Sequence, residues 1–501
     1  MTKLSEREDI KGLRPCEEQG ISAAEKGLWC AVRNNATNAW VCNANNGNVT
    51  TNNTYNRYRC VPSSELLSSF AARVLEAEAA CYANKHQSKG SAALHYHLSS
   101  LVSLISQLKD GTWQPSRSIL FAVSRPCYRE IYCSPCIDRV VHHLVAPLLV
   151  EVAEYAHTKG GNVSHGNRKG YSVQTAAEQI RDNIYKASCG YSQPCYVMTY
   201  DISGFFMSID RDKAFRLFIR YYDEMPKDAS RDDTFSIEMI RRVLYDEPTL
   251  NAEIRGSQHL LDLVPVNKRL RAGKGLPIGK YLSQLMACLF LADVNEALAG
   301  IKGLYHTQFV DDACNAASDL QTLWEGYRTA KAMYESKGLT IHPKKLYIQP
   351  ADRGVAFCGR VIKMQRIYIS NRTHGYCIDV VREALRHPCL NNARKLCNSL
   401  NSYFGLFSHC AAYNIQRSIA DKVLNAYSEW LYVVYKPNHI VFRLKKIYTT
   451  VYQSITDFNN LMHYYEYETC KDERRKSLRC CDRRNWRSSR KVQKRRLQAA
   501  L

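Results

Sequence analysis

The chain has 501 residues, of which 45% are apolar, and a formal net charge of +22. This size and composition suffice for a large core with several lobes, and the basic excess indicates a protein that holds phosphate backbones. No run approaches the ~18 apolar residues that a membrane helix needs, and the N-terminus lacks a secretory signal. We therefore expect a cytoplasmic protein without membrane contact, in which most of the 20 cysteines are free thiols.

The first part of the chain divides into two predicted regions. Residues 1–62 are predicted to be an N-terminal add-on, because residues 34–56 hold ten asparagines and should be poorly ordered. Residues 63–117 show helical periodicity over residues 65–82 and 92–108. This second region is predicted to be a helical extension.

Short apolar runs precede Asp201 and the pair Asp311-Asp312. The runs, residues 195–200 and 306–310, have the composition of buried strands. Carboxylates at the ends of two neighbouring strands can hold two Mg²⁺ ions about 3.5–4 Å apart, which activate a 3′-hydroxyl and stabilise a leaving pyrophosphate. Taken alone, an aspartate at the end of a strand is more often a structural or solvated side chain, so the prediction depends on its neighbours.

A glycine-rich loop lies between these carboxylates. Residues 274–279 must form a loop because Pro277 and two glycines interrupt any regular element. A helix is predicted to begin near Lys280, since the following apolar residues recur at helical spacing: Leu282, Leu285, Met286, Leu289, Phe290 and Val294. Such a loop can lie against a nucleotide base, or it can simply lead into a core helix.

Two further groups upstream could bind charged ligands. Arg168 and Lys169 lie beside Gly170 and could hold a triphosphate through charge-assisted hydrogen bonds, although basic residues beside a glycine are also common on solvated turns. Cys133-x-x-Cys136 raises the possibility of zinc. We disfavour zinc because the sequence has no second motif of this kind.

The C-terminal part is helical in pattern and ends in a basic segment. Residues 378–468 show helical periodicity. Residues 471–496 contain thirteen Lys or Arg against three acids, and Trp486 among them could stack on an unpaired base. The segment is predicted to be a solvated tail that holds nucleic acid.

The order of these pieces resembles the fingers and palm of a reverse transcriptase, from about residue 120 to residue 362. The resemblance implies an α+β right-hand polymerase fold, with fingers, a palm of antiparallel sheet and helices, and a helical thumb. It implies fingers and palm over residues 118–365, the thumb over residues 366–470, and a basic tail over residues 471–501.

The resemblance also assigns residues to roles and implies two Mg²⁺ ions, for which Mn²⁺ can substitute. The catalytic residues are Asp201, Asp311 and Asp312, and these three with Ile202 contact the metal ions. The nucleotide-binding residues are Arg168, Lys169, Phe205, Phe206, Ile278, Gly279 and Lys344. The template and primer contacts are Ser283, Gln284, Phe309, Phe357, Cys358 and Gly359.

Several of these assignments are specific. Phe206 falls where the family places the steric gate that clashes with a ribose 2′-hydroxyl, and residues 357–359 resemble the primer grip. Lys344 or Lys345 falls where the family places the general acid for pyrophosphate. Phe309 replaces the usual tyrosine of the Asp-Asp box, which removes a hydroxyl but keeps the metal ligands.

The motif Ile278-Gly279-x-x-x-Ser283-Gln284 resembles the enzymes of diversity-generating retroelements, whose cDNA synthesis is error-prone opposite template adenines. Most relatives have glutamine where this chain has Ile278. A glutamine there can hydrogen-bond the incoming nucleotide, whereas isoleucine offers no donor, so discrimination against wrong pairs is weakened. Neutral drift in a faithful enzyme is the alternative.

The asparagine-rich residues 34–56 resemble the variable tail of retroelement target proteins, in which adenine-rich Asn codons are randomised. Our hypothesis is that this stretch is the template repeat, or a copy of it, read in frame with the polymerase gene. A low-complexity linker without function is the alternative.

The resemblance implies template RNA, a primer or cDNA strand and dNTPs as partners, together with a small basic accessory variability protein. A group II intron, retron or phage-defence reverse transcriptase without adenine mutagenesis is the alternative within the enzyme class. From another class, the chain could be a non-catalytic RNA-binding protein, which the three intact aspartates disfavour.

Overall fold

A computed structural model describes residues 70–83, 98–124 and 127–448. The described residues form two compact units, which meet in the sequence between Tyr368 and Ile369. The predicted add-on over residues 1–62 and the basic tail over residues 471–501 lie outside the described residues.

Helices and strands alternate irregularly along the chain. The described helices are α1 (Phe70–Ala83), α2 (Leu98–Lys109), α3 (Cys136–Lys159), α4 (Val173–Ala187), α5 (Phe205–Ser208), α6 (Arg211–Glu224), α7 (Thr234–Leu244), α8 (Gln258–Asp262), α9 (Tyr281–Leu289), α10 (Ala292–Ala299), α11 (Leu320–Ser336), α12 (Asn371–Arg386), α13 (Leu390–Phe407) and α14 (Tyr413–Tyr427). The described strands are β1 (Ile119–Val123), β2 (Arg129–Cys133), β3 (Tyr196–Asp201), β4 (Glu253–Ile254), β5 (Tyr305–Phe309), β6 (Asp312–Ala317), β7 (Tyr347–Pro350), β8 (Val355–Phe357), β9 (Arg360–Ile362), β10 (Ile367–Ile369), β11 (Leu431–Tyr435) and β12 (Ile440–Leu444).

The central sheet of the first unit has the strand order β5-β6-β3-β7, and all its neighbouring strands are antiparallel. Its middle strands are nearly sealed from water, with Val197, Met198 and Ala313 no more than 1% exposed. A strand buried on both faces is coded by a continuous apolar run, which is the pattern that predicted β3. This antiparallel sheet with its packed helices confirms the α+β fold.

The core beside this sheet is built around α3. Its buried face includes Val140, Val145 and Leu149, each 0% exposed. Helices α1 and α2 contribute Val74 and Leu101 to the same core. Two helices thus lie in the region that was predicted to be a helical extension, and both pack into the core of the first unit.

One helical stretch, Tyr281–Ala299, is long and apolar enough to cross a membrane by length and composition alone. The sequence had been predicted to contain no apolar run long enough to cross a membrane. Because 72% of its most apolar window is buried inside the fold, core packing accounts for its composition. The predicted start of this helix near Lys280 agrees with the observed start of α9 at Tyr281.

Two smaller sheets complete the first unit. The strands β2, β1 and β4 form one, with β1 antiparallel to β2 and parallel to β4. The strands β8, β9 and β10 form the other, and β8 and β9 are joined by a two-residue turn at Cys358 and Gly359. Both turn residues have positive φ angles, +43° and +78°, as a tight hairpin turn requires.

The second unit packs α12, α13 and α14 around its own core, whose members include Leu396, Leu400, Phe404 and Val423. It also contains the hairpin β11–β12. The prediction of helices over residues 378–468 was therefore wrong for these two strands. The run Leu-Tyr-Val-Val-Tyr of β11 is rich in β-branched and aromatic residues, which favour strands.

Candidate active site

Three aspartates lie at one end of the central sheet. Asp201 is the last residue of β3, Asp312 is the first residue of β6, and Asp311 belongs to the two-residue connection between β5 and β6. The antiparallel register places Asp201 directly opposite Asp312. Opposed residues in such a pair have Cβ atoms about 4.5–5.5 Å apart, so the carboxylates share a small volume.

The β5–β6 connection that carries Asp311 has a strained backbone and packs against a neighbouring loop. Val310 has a φ angle of +56°, a left-handed conformation that is uncommon for a β-branched residue. The neighbouring loop runs along β5, where His165 N donates to Gln308 O at 2.9 Å. Its Gly166 lies so close that an added Cβ would be 2.7 Å from Val310 Cγ2. Only glycine therefore fits under the tip of the β5–β6 hairpin.

The aspartates repel one another in a partly desolvated position. Burial raises the pKa of Asp311 from 3.8 to about 7, and the charges of Asp312 and Asp201 add to the rise. The pKa of Asp312 is also raised, by burial and by Asp201. A nearby cation would favour the ionised forms. Asp311 and Asp312 therefore have too little positive charge beside them to favour their ionised forms.

Two neighbours touch these carboxylates. The ammonium group of Lys345 forms an ion pair with Asp201 Oδ2, and the thiol of Cys358 donates to Asp312 Oδ2 at 3.4 Å. Lys344 is exposed, and its backbone N–H donates to His342 Nδ1 at 3.2 Å. Of the two lysines considered as the general acid, the structure brings Lys345 to the aspartates.

The chemistry of this donor set fits divalent cations. Carboxylate oxygens are the ligands that Mg²⁺ prefers, and burial with mutual repulsion makes these carboxylates unfavourable without a cation. Across residues 70–83, 98–124 and 127–448, no group of three or more His, Cys, Asp or Glu side chains is arranged as a complete metal site. One oxygen of Asp201 is engaged by Lys345 instead. Ile202 is 2% exposed and forms a β-bridge to Ile341.

The two phenylalanines after Asp201 have different environments. Phe205 is 2% exposed and belongs to the main core, which leaves it no surface for a nucleotide. Phe206 is only half-buried, and its ring meets that of Phe205 edge-on with centroids 5.5 Å apart. The structure therefore leaves Phe206 available as the predicted steric gate and places Phe205 behind it.

The glycine-rich loop before α9 is fixed against β2. Tyr132 N donates to Ile278 O at 2.8 Å. Gly279 has a φ angle of +111°, and a Cβ there would lie 2.8 Å from Tyr132 O, so only glycine is accommodated. Ser283 is 5% exposed, whereas Gln284 is half-buried and its carbonyl accepts from the Asn167 side chain at 3.3 Å.

Arg168 is held by protein groups rather than left open for a ligand. It is 8% exposed, and its Nη2 donates to Glu154 Oε2 at 2.6 Å and to Asn162 Oδ1 at 2.8 Å. Its Nη1 donates to Ser164 O at 2.8 Å. The geometry gives Arg168 the task of ordering the loop that supports the β5–β6 hairpin. Lys169 is exposed and remains the cation of this pair that can reach a ligand.

The predicted primer-grip residues lie in the β8–β9 hairpin. Phe357 is 5% exposed and anchors the hairpin, while Cys358 and Gly359 form its turn. The contact of Cys358 with Asp312 brings this turn to the aspartates. Phe309 is half-buried at the end of β5, opposite Asp312.

Comparison with known proteins gives a family for this region. Residues 124–362 match the reverse transcriptase (RNA-dependent DNA polymerase) family. No curated protein sequence matches the chain. Residues 124–362 are thus a reverse transcriptase domain, which agrees with the resemblance predicted from the sequence.

Solved telomerase structures are weakly similar to this chain. Telomerase from Candida albicans in complex with a TWJ fragment of telomeric RNA has 12% identity and a TM-score of 0.39, over 64% of this chain and 61% of that chain. Apo telomerase from Candida tropicalis, truncated from its C-terminal domain, has 10% identity and a TM-score of 0.40, over 55% of this chain and 60% of that chain. The chain spans about 60% of the length of these proteins, and likeness at this level carries no functional conclusion.

The raised pKa of Asp311 predicts that its ionised carboxylate destabilises the folded state of the metal-free protein. A carboxyl whose pKa is higher in the folded state adds stability below its unfolded pKa of 3.8, and this stability is lost as pH rises through about 7. Asp311→Asn should therefore raise the free energy of unfolding by about 1–3 kcal/mol at pH 8 and change it little near pH 4. Urea denaturation in EDTA measures both values.

The control is Asp319→Asn. Asp319 caps α11 by accepting from Thr322 N at 2.8 Å, and that hydrogen bond holds the pKa of its carboxyl below the ordinary value. Asparagine caps a helix as well as aspartate does, so this variant should give no gain at pH 8. A loss of stability in Asp311→Asn at pH 8 would refute the repulsion described above.

The support of the β5–β6 hairpin can be tested at Gly166. Gly166→Ala forces a methyl group to within 2.7 Å of Val310 Cγ2, and overpacking of this kind costs about 1–3 kcal/mol. We expect at least about a tenfold fall in the rate of nucleotide incorporation, because the shift moves Asp311. Gly375→Ala in α12 is the control, since nothing lies within 4 Å of its added Cβ. Unchanged incorporation by Gly166→Ala would show that the hairpin tolerates displacement.

Proposed function

We propose that this protein copies a retroelement template RNA into DNA and misincorporates opposite template adenines, so that a target gene is diversified. The observation that carries the polymerase activity is the gathering of Asp201, Asp311 and Asp312 at one end of the central sheet of a reverse transcriptase domain. The motif from Ile278 to Gln284 supports the adenine-directed errors.

The three aspartates, with Ile202 beside them, would hold two Mg²⁺ ions, or Mn²⁺ in their place. Ions bound there supply activation of the primer 3′-hydroxyl and charge stabilisation of the pyrophosphate. Lys345 is the cation already in contact with this group, and its ammonium can donate a proton to the departing pyrophosphate. We assign this role to Lys345 rather than to Lys344.

Two residues would select the incoming nucleotide. The half-buried ring of Phe206 can exclude a ribose 2′-hydroxyl by contact. The side chain of Ile278 offers no hydrogen-bond donor to the nucleotide, so this residue contributes to the rejection of a mispair only by shape. Removing a polar contact of this kind weakens discrimination between similar substrates.

The partners we propose are template RNA, a primer or cDNA strand, dNTPs and a small basic accessory protein, with the cytoplasm as the site of action. The net charge of +22 supports nucleic acid as the principal partner, since basic residues release counterions from phosphate backbones. The template-repeat hypothesis for residues 34–56 predicts a near-repeat in the encoding DNA that differs only at adenines.

The error spectrum tests the retroelement assignment. Purified protein should be given a defined RNA template with Mg²⁺, the accessory protein and dNTPs, and the cDNA should be sequenced. Errors should concentrate opposite template adenines, and Ile278→Gln should lower them at least about threefold by restoring a hydrogen-bonding group. Ile254→Gln, at a position 52% exposed in β4, is the control and should leave the errors unchanged. Uniformly faithful cDNA would keep the polymerase and refute adenine mutagenesis.

The steric gate predicts a second measurable ratio. Phe206→Val opens space for a 2′-hydroxyl, so the preference for dGTP over GTP, measured as the ratio of kcat/KM values, should fall at least about tenfold. Phe215→Val, at a half-buried ring on α6, should leave this ratio unchanged. An unaltered ratio in Phe206→Val would remove Phe206 from sugar selection.

A further inference from the structure

Two adjacent acids, Asp246 and Glu247, hold the two segments that form the proposed nucleotide pocket. We propose that they are positioning residues: Glu247 fixes the loop against the helix that carries Phe206, and Asp246 fixes the end of the loop that carries Ile278. The inference rests on the proposed function and assigns selectivity to groups that do not themselves touch a nucleotide.

Glu247 acts through Arg211, which is 4% exposed at the start of α6. Arg211 Nη1 donates to Glu247 Oε1 at 2.6 Å, and Arg211 Nε donates to Gly275 O at 2.8 Å. The same Glu247 oxygen accepts from Gly273 N at 2.9 Å. One carboxylate therefore secures two points: Gly273, just before the glycine-rich loop, directly, and Gly275, within the loop, through the buried guanidinium of Arg211.

This part of the loop lies directly against the Phe206 helix. Leu276 N donates to Phe206 O at 2.7 Å, and Gly275 N donates to Ile209 O at 2.9 Å. A Cβ at Gly275 would lie 2.9 Å from Met207 Cα, so no spare room separates the two segments. A displacement of the loop at Gly275 must therefore move Phe206 or break these hydrogen bonds.

Asp246 holds the other end of the loop. Its carboxylate forms an ion pair with Lys280, which is 2% exposed and immediately follows Gly279. Loss of the paired carboxylate is strongly unfavourable for a buried ammonium, so neutralising Asp246 favours a displacement of Lys280. The backbone between Lys280 and Ile278 is short, and such a movement shifts Ile278.

The two acids should therefore affect different selectivities. Asp246→Asn should change the ratio of kcat/KM for correct over wrong dNTP opposite template adenine at least about threefold, with a smaller effect on sugar choice. Glu247→Gln should change the ratio for dGTP over GTP at least about threefold, with a smaller effect on base choice. Glu253→Gln, whose carboxylate pairs with Arg255 at 2.7 Å on β4, should change neither ratio.

A third variant, Lys280→Arg, tests the same ion pair if Asp246→Asn fails to fold. It keeps the buried positive charge but alters the length and shape of the side chain. It should change the same base-selection ratio as Asp246→Asn. If all three variants lower kcat for right and wrong substrates in equal proportion and leave both ratios unchanged, the acids are merely structural and the inference is overturned.

A failure of the proposed function would give a different result from a failure of this inference. Wild-type protein without excess adenine errors would refute the retroelement assignment, while the change in base selection by Asp246→Asn would still stand or fall on its own. If wild-type protein makes no cDNA, calorimetric Kd values for dGTP and GTP replace the kinetic ratio. An unchanged Kd ratio in Glu247→Gln would then overturn the inference.

Discussion

The pairing of β3 with β6 is the constraint on which the rest of the site depends. It places Asp201 opposite Asp312 and leaves Asp311 at the adjoining hairpin tip. Backbone hydrogen bonds along the strands hold the three carboxyl groups together, although burial and repulsion both oppose the ionisation of Asp311 and Asp312. The fold thus stores unfavourable electrostatic energy at the position where a divalent cation would release it.

Other residues near the aspartates hold the β5–β6 hairpin in place. The strained backbone of Val310 needs rigid neighbours to hold its conformation, and Gly166 packs directly against it. Arg168 orders the loop that carries this glycine through its contact with Glu154. Strained conformations persist only where the surroundings over-determine them, and these contacts provide that condition.

The sequence was sufficient to predict the parts that depend on local pattern. The apolar, β-prone run before Asp201 identified a buried strand, and the glycines around Ile278 identified a loop. Arg168 was predicted as a nucleotide contact from its position beside Lys169 and Gly170. Its contact with Glu154 could not be predicted, because the two residues lie on different elements and no spacing rule shows such a pair. The hairpin β11–β12 was missed because helical periodicity in α13 and α14 was extended past its end. Asp246 and Glu247 look like ordinary surface acids until the buried cations are placed beside them.

The central claim is that the three aspartates perform nucleotidyl transfer. The most direct test is extension of a DNA primer on an RNA template with Mg²⁺, by wild-type protein and by Asp312→Asn, with circular dichroism to verify that both are folded. We predict template-dependent extension by the wild type and a loss of at least about a hundredfold in the variant. Equal extension by the two proteins would contradict the account.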